Sequence, residues 1–188
     1  MDLYGLALFI HILGVITLFS AFVLVQRVGI QLRAAETVEQ VQSWMRILMP
    51  VKNMFASASI LMLVTGLYMT WRVWTWETPW VVVGIATVVG LMGLGNTLAG
   101  PSLRKIGMTA GKSQPGPLPE ELRAAVREPK LWIVMNGNNA AALGAIWIMT
   151  NKPGWVASVA IVVGLWIAGA AMGNAMAKKA PTPAVAQT

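Results

Sequence analysis

The single histidine, His11, is the strongest candidate for chemistry, because it lies in the apolar stretch LALFIHILGVITLFS, residues 6–20. An ionisable side chain inside a segment of this kind is costly in lipid and commonly marks a functional site. The chain has no cysteine, which excludes thiolate metal sites, disulfides and iron–sulfur clusters. All seven acidic residues lie outside the apolar segments, which argues against an ion-coupled pump.

Methionine and polar side chains could complete a site around His11. Histidine with methionine is a known axial pair for haem iron, and copper(I) also accepts imidazole and thioether ligands. Met62 lies in an apolar segment, and Thr87 and Asn139 are expected at the depth of His11, where they would hydrogen-bond to the imidazole. The sequence therefore nominates these four residues as a cofactor site for haem b or copper, with His11 as metal ligand. The alternative is that methionine fills the core and that His11 makes a structural contact.

Composition and hydropathy predict the elements that position these residues. The chain is 56% hydrophobic and 11% charged, which is typical of a protein in lipid. Five apolar segments have roughly the length that a membrane span requires. We predict an all-α membrane protein with one domain over residues 1–178, a cytoplasmic connector at 101–130 and a disordered tail at 179–188. The predicted transmembrane helices are 3–25, 54–71, 80–100, 131–150 and 155–177.

The distribution of basic residues predicts the orientation in the membrane. Of the 14 Lys and Arg residues, only Arg72 and Lys152 fall between the second and third or the fourth and fifth spans. Basic residues stay on the cytoplasmic side, so we expect the N-terminus outside and the C-terminus in the cytoplasm of a bacterial inner membrane. The same distribution attributes the net charge of +7 to orientation in the lipid bilayer rather than to nucleic-acid binding.

Two parts of the chain look alike. MPVKNMFASASILMLVTGLYMT ends at Thr70, EPKLWIVMNGNNAAALGAIWIMT ends at Thr150, and each precedes a further apolar segment. This pattern predicts a four-helix core of two parallel-repeated hairpins plus an N-terminal span. A ridge of small residues, Gly169, Gly173 and Ala177, favours close helix packing within the chain, with a homodimer or a partner membrane subunit as the alternative.

Four smaller patterns concern the connections, the polar residues and the tryptophans. Thr37 and Gln40 fit a capping box at the start of an amphipathic helix, which Pro50 is expected to end before the second span. Residues 111–119, GKSQPGPLP, are typical of a flexible connector. The asparagines of the apolar segments favour interhelical hydrogen bonding, with a polar cavity as the alternative. The tryptophans near the predicted outer boundary are interpreted as an interfacial belt.

The first part of the chain resembles a known family. The stretch FIHILGVITLFSAFVLVQR, followed by a basic segment and ILMPVKNMFASASILMLVTGLYM, is similar to small bacterial membrane proteins related to the copper-resistance protein CopD and to HemJ, the protoporphyrinogen oxidase-like protein. His11 and Gly14 match the family's first span, and Gly66 matches a glycine that ends its second. The resemblance is closest to members of unknown function, and it implies a histidine-bearing bundle that holds a porphyrin or copper.

Three functions follow from these observations. The first is an accessory or cofactor-binding membrane protein of the CopD/HemJ-like group, with a haem or copper site around His11. The second is a membrane oxidoreductase that acts on a porphyrin or a quinone. The third is a purely structural membrane subunit.

Overall fold

The computed structural model describes residues 2–178, and within them the chain is helical and contains no β-sheet. This confirms the predicted all-α class. The predicted tail at 179–188 lies outside the described residues. The helices are α1 (Leu3–Ala34), α2 (Val38–Val73), α3 (Pro79–Leu94), α4 (Gly100–Lys112), α5 (Glu120–Val126), α6 (Pro129–Asn151) and α7 (Trp155–Lys178). A π-helical turn, Gly95–Ala99, joins α3 to α4 without a break.

Four helical stretches of the described chain are long and apolar enough to cross a membrane: α1, α2, α7 and the continuous stretch Pro79–Lys112. The fourth predicted span, α6, has 23 residues but does not reach the same hydropathy, because its sequence includes Asn136, Asn138 and Asn139. These four apolar helices identify the chain as a membrane protein.

The helices pack as two close pairs, α1 with α2 and α6 with α7, and α3 joins the pairs by packing mainly on α6 and α7. The predicted four-helix core with α1 as an added span stays a prediction, and α1 is the main neighbour of α2. Gly14 makes this contact close, since a Cβ atom there would lie 2.8 Å from Cγ of Met62. The internal repeat stays a prediction.

The start of α2 agrees with the predicted capping box, but its course differs from the prediction. The Thr37 hydroxyl accepts from the Gln40 amide at 3.4 Å, and the Gln40 side chain accepts in return from the Thr37 amide. The helix then runs for 36 residues through Pro50, so the predicted end at this residue is wrong. Proline removes one backbone hydrogen bond, but Leu48 and Val51 on either side are buried, and their packing holds the helix together.

The connector at 101–130 folds as a compact cap on one end of the bundle. α4 and α5 fill most of it, and the loop between them is held to the start of α2 through Val38 N to Gly116 O at 3.0 Å and Leu118 N to Glu36 O at 2.8 Å. Of the stretch 111–119, expected to be a flexible connector, the first two residues belong to α4 and the rest form a bonded loop. We call this end, with Arg33, α4 and α5, the basic end, and the opposite end, with Trp74, Trp80 and Lys152, the aromatic end.

Arg33 shows that the ends of α1 and α7 lie together at the basic end. Its guanidinium donates to the carbonyl groups of Met176 and Ala177 in the last turn of α7. The same group lies 5.2 Å from the centre of the Trp132 ring, near the start of α6. A cation at a helix C-terminus also interacts favourably with the helix dipole. Three helices are thus joined by one side chain.

The ridge of small residues on α7 packs against α6 of the same chain. A Cβ atom at Gly169 would overlap the carbonyl of Asn136, and one at Gly173 would overlap the carbonyl of Trp132. Helices in lipid associate through this kind of close approach. The ridge is therefore occupied within the chain and is not available as a homodimer face.

We predict that Gly169→Ala and Gly173→Ala each destabilise the protein by about 1–3 kcal/mol, because the added methyl group must push α6 and α7 apart. Gly164→Ala on the same helix is the matched control, since a Cβ atom there meets nothing within 4 Å. The measurement is the free energy of unfolding in detergent. Equal stability of all three variants would contradict the packing described here.

Candidate functional site: the cavity beside His11

The imidazole of His11 is held by α2 through one ring nitrogen. Nδ1 lies 3.1 Å from the carbonyl oxygen of Met62 and 3.0 Å from Oγ1 of Thr65. The Thr65 hydroxyl donates its own hydrogen to the carbonyl of Leu61 at 2.7 Å, so it can only accept from the imidazole. Both partners of Nδ1 are therefore acceptors, and Nδ1 carries the ring proton.

The consequence of this arrangement is an unprotonated Nε2. A neutral imidazole has one N–H and one lone pair, and the hydrogen bond at one nitrogen decides which nitrogen keeps the lone pair. Among residues 2–178, Nε2 of His11 has no hydrogen-bond partner. It is thus available to a metal ion or to a hydrogen-bond donor.

Gly66 on α2 packs against the imidazole ring of His11. A Cβ atom at Gly66 would lie 3.4 Å from Cε1 of His11, at van der Waals distance, so the ring lies directly against this glycine. Gly14, three residues after His11 on α1, allows the two helix backbones to approach. The two glycines that carry the family resemblance thus have a structural explanation, since both lie in the α1–α2 contact that holds the imidazole.

His11 lines a cavity of about 450 Å³ in the half of the bundle toward the aromatic end. This volume is in the range of cavities that bind small molecules and cofactors. The walls come from α1, α2, α3 and α6 and are mainly apolar, and Met62 is among the lining residues. The structure therefore brings His11 and Met62 to one cavity.

The cavity is not enclosed. α1 and α3 form opposite walls but do not pack closely against each other. Two lining residues of α1, Leu8 and Ile12, are 41% and 48% exposed. The wall that α1 contributes is therefore apolar and partly exposed.

Thr87 and Asn139, the other two nominated site residues, do not reach His11. The Thr87 hydroxyl donates to the carbonyl of Val83 in its own helix at 2.7 Å. The Asn139 amide donates to Gln26 at 3.4 Å, and Gln26 lies about 22 Å beyond His11 along α1. The predicted pairing of the imidazole with either residue is wrong, because depth counted from the ends of α3 and α6 does not give the register of these helices against α1.

The asparagines of α6 instead join the helices toward the basic end. Gln26 donates to Asn136 at 3.1 Å, which links α1 to α6. Trp166 of α7 donates to Asn138 at 3.1 Å, and Asn138 donates to the carbonyl of Leu91 in α3 at 3.3 Å. These contacts confirm the prediction that the asparagines of this helix make interhelical hydrogen bonds. Gln26 was missed by the sequence analysis, although a polar amide near the end of an apolar segment was a visible signal.

At the aromatic end the cavity is bordered by Lys152 and by two tryptophans that the sequence analysis assigned to an interfacial belt. The rings of Trp74 and Trp80 meet edge to face with centres 4.9 Å apart. Nζ of Lys152 lies 4.8 Å from the centre of the Trp74 ring and 5.9 Å from that of Trp80. All three side chains line the same cavity as His11.

The described residues limit what metal chemistry is available. Within residues 2–178 no group of three or more His, Cys, Asp or Glu side chains could hold a metal ion. A metal at His11 would need further ligands from thioethers, such as Met62, Met69 and Met149 of the cavity wall, or from a cofactor that brings its own.

Comparisons with family models, curated proteins and solved structures find no match to this chain. The resemblance to CopD and HemJ, over about the first 100 residues, stays a prediction.

Proposed function

We propose that this protein is an accessory, cofactor-binding membrane protein of the CopD/HemJ-like group and that the cavity beside His11 holds the cofactor. The observation that carries the proposal is the unprotonated Nε2 of His11 beside an apolar cavity of about 450 Å³. A histidine whose Nδ1–H is bonded to a backbone carbonyl or a hydroxyl is the usual form of a metal ligand.

Haem b is the cofactor that this geometry favours. It brings four of its own ligands to the iron, so a single imidazole is sufficient on the protein side. Met62, Met69 and Met149 line the same cavity, and one of these thioethers could supplement the imidazole. A bare copper ion fits less well, because the cavity is much larger than an ion and because only thioethers could supplement His11.

A membrane oxidoreductase acting on a porphyrin or a quinone is the second candidate. The lone pair on Nε2 accepts a hydrogen bond, so it suits the hydroxyl group of a quinol better than the carbonyl group of a quinone. A purely structural role is the third. It explains the bonded Nδ1, but it leaves the open cavity and the unpartnered Nε2 without a purpose.

The spectrum of the purified protein tests the haem proposal. We expect an absorption band of bound haem after mild detergent extraction, and its loss or a change of iron ligation in His11→Ala. Asn139→Ala is the control, because Asn139 is bonded to Gln26 away from the cavity. Metal analysis of the same samples distinguishes copper from iron.

Two outcomes would contradict the haem proposal. One is colourless, iron-free protein that also fails to take up added haemin. The other is a haem spectrum that is unchanged in His11→Ala. Quinol oxidation by the purified protein, lost in His11→Ala, would support the oxidoreductase instead.

We also propose that α6 is the fifth membrane span and that the basic end faces the cytoplasm of a bacterial inner membrane. α6 packs against α3 and α7, so its asparagines are bonded to protein rather than exposed to lipid. Except for Arg72 and Lys152, the basic residues among those described lie in the half of the bundle toward the basic end. The positive-inside rule requires this of a cytoplasmic face.

Two glycines on either side of α6 test this arrangement. Gly111 and Gly154 are exposed, and a Cβ atom at either meets nothing within 4 Å. Because the chain has no cysteine, Gly111→Cys and Gly154→Cys each provide one thiol. In intact cells we expect an impermeant maleimide to label Gly154→Cys only. Labelling of both or neither would contradict a spanning α6, and labelling of Gly111→Cys alone would reverse the orientation.

A further inference from the structure

We call the part of the His11 cavity at the aromatic end, lined by Tyr4, Trp74, Trp80 and Lys152, its mouth. This mouth carries a positive charge without a counter-charge. Lys152 is among the lining residues, whereas no lining residue is acidic. All seven acidic residues lie within residues 2–178, and none is within 4.0 Å of the Lys152 ammonium group. A cation at the edge of an apolar cavity leaves a place for an anion.

Three further side chains at the mouth add hydrogen-bond donors. The hydroxyl of Tyr4 and the indole N–H groups of Trp74 and Trp80 have no hydrogen-bond partner among the described residues, and all three line the cavity. Indole and ammonium groups only donate, and a phenol can do so. Three residues that line the cavity therefore carry hydrogen-bond donors that no described residue uses.

An interfacial belt does not fully explain this cluster. Trp71, Trp76 and Trp155 are 50% or more exposed, as belt residues are, and none lines the cavity. Trp74 and Trp80 are half-buried and hold the Lys152 ammonium group near both of their rings. Lys152 is itself exposed, and these contacts place its ammonium group near the two indole rings that line the cavity.

The backbone conformation of Lys152 is also unusual for a residue that has a side chain. Its φ of 53° lies in the left-handed region, where it is the only non-glycine residue of the described chain. This position ends α6, with the Lys152 amide bonded to Ile148 O at 2.9 Å, and it normally favours glycine. A lysine kept there at some cost is consistent with a role for its side chain.

We propose that Lys152, Tyr4 and the indole groups of Trp74 and Trp80 form a subsite for a carboxylate, so that the ligand of the cavity is an apolar molecule with an acidic group. Tyr4 lies two turns from His11 on the same helix, which places the acidic group about 10 Å from the imidazole. The inference rests on the proposed cavity function. A porphyrin with carboxylate side chains and a fatty acid from the bilayer share this chemistry.

Acids and their esters test the subsite on the purified full-length protein. The probes are haemin against haemin dimethyl ester, and oleate against methyl oleate, with quenching of tryptophan fluorescence as the readout. We expect the acid of each pair to bind about tenfold more tightly, the value of one hydrogen bond to a charged group. Lys152→Met should remove this preference, and Lys152→Arg should keep it. Arg72→Met is the control for charge at the aromatic end, because Arg72 does not line the cavity.

Equal binding of acid and ester by the unaltered protein would overturn the subsite, and so would a preference that persists in Lys152→Met. The first comparison needs no variant, so a folding defect cannot obscure it. Oleate contains no metal, so its preference over the ester reports on Lys152 independently of His11. An acid preference without a histidine-ligated haem spectrum would reject the proposed cofactor and keep the subsite, with a fatty acid as the ligand.

Discussion

An imidazole in hydrocarbon must be neutral and hydrogen-bonded, and the contact of His11 with α2 meets both requirements. The carbonyl of Met62 and the hydroxyl of Thr65 both accept from Nδ1. Any other choice of proton would leave an acceptor facing an acceptor in a medium where that is expensive. The lone pair on Nε2 is the direct consequence, and the function proposed for the cavity depends on it. The close approach of α1 and α2 at Gly14 and Gly66 makes the contact possible.

The rest of the bundle divides into two halves with different chemistry. Toward the basic end, side-chain amides of α6 bond to α1, α3 and α7, and an apolar cluster from α1, α2, α4, α5 and α6 fills the space between helices. Toward the aromatic end, α2 meets α3 through Trp74 and Trp80, and the cavity lies among α1, α2, α3 and α6. The amide-bonded half holds the helices together, so the other half can stay open without loss of the fold. A rigid half beside an open one is a suitable arrangement for binding a molecule from the bilayer.

Features that depend on local sequence were predictable, and those that depend on helix register were not. The helical class, the capping box at Thr37 and the close-packing ridge at Gly169 follow from residues near each other in the chain. The partners of His11 depend on the rotation and axial offset of α2 and α6, which periodicity alone does not fix. The continuation of α2 through Pro50 reflects burial on both sides of the proline, which outweighs its local preference. Lys152 was passed over because its importance comes from its neighbours in space.

The most direct test of this account is the protonation of the His11 ring. Because the chain has one histidine, ¹⁵N-histidine labelling of protein without a histidine tag gives the signals of this ring alone. In lipid at neutral pH, nuclear magnetic resonance of ligand-free protein should show a neutral imidazole with the proton on Nδ1. A proton on Nε2, or on both nitrogens, would mean that the lone pair assigned to the cavity does not exist, and the account of the site would be wrong.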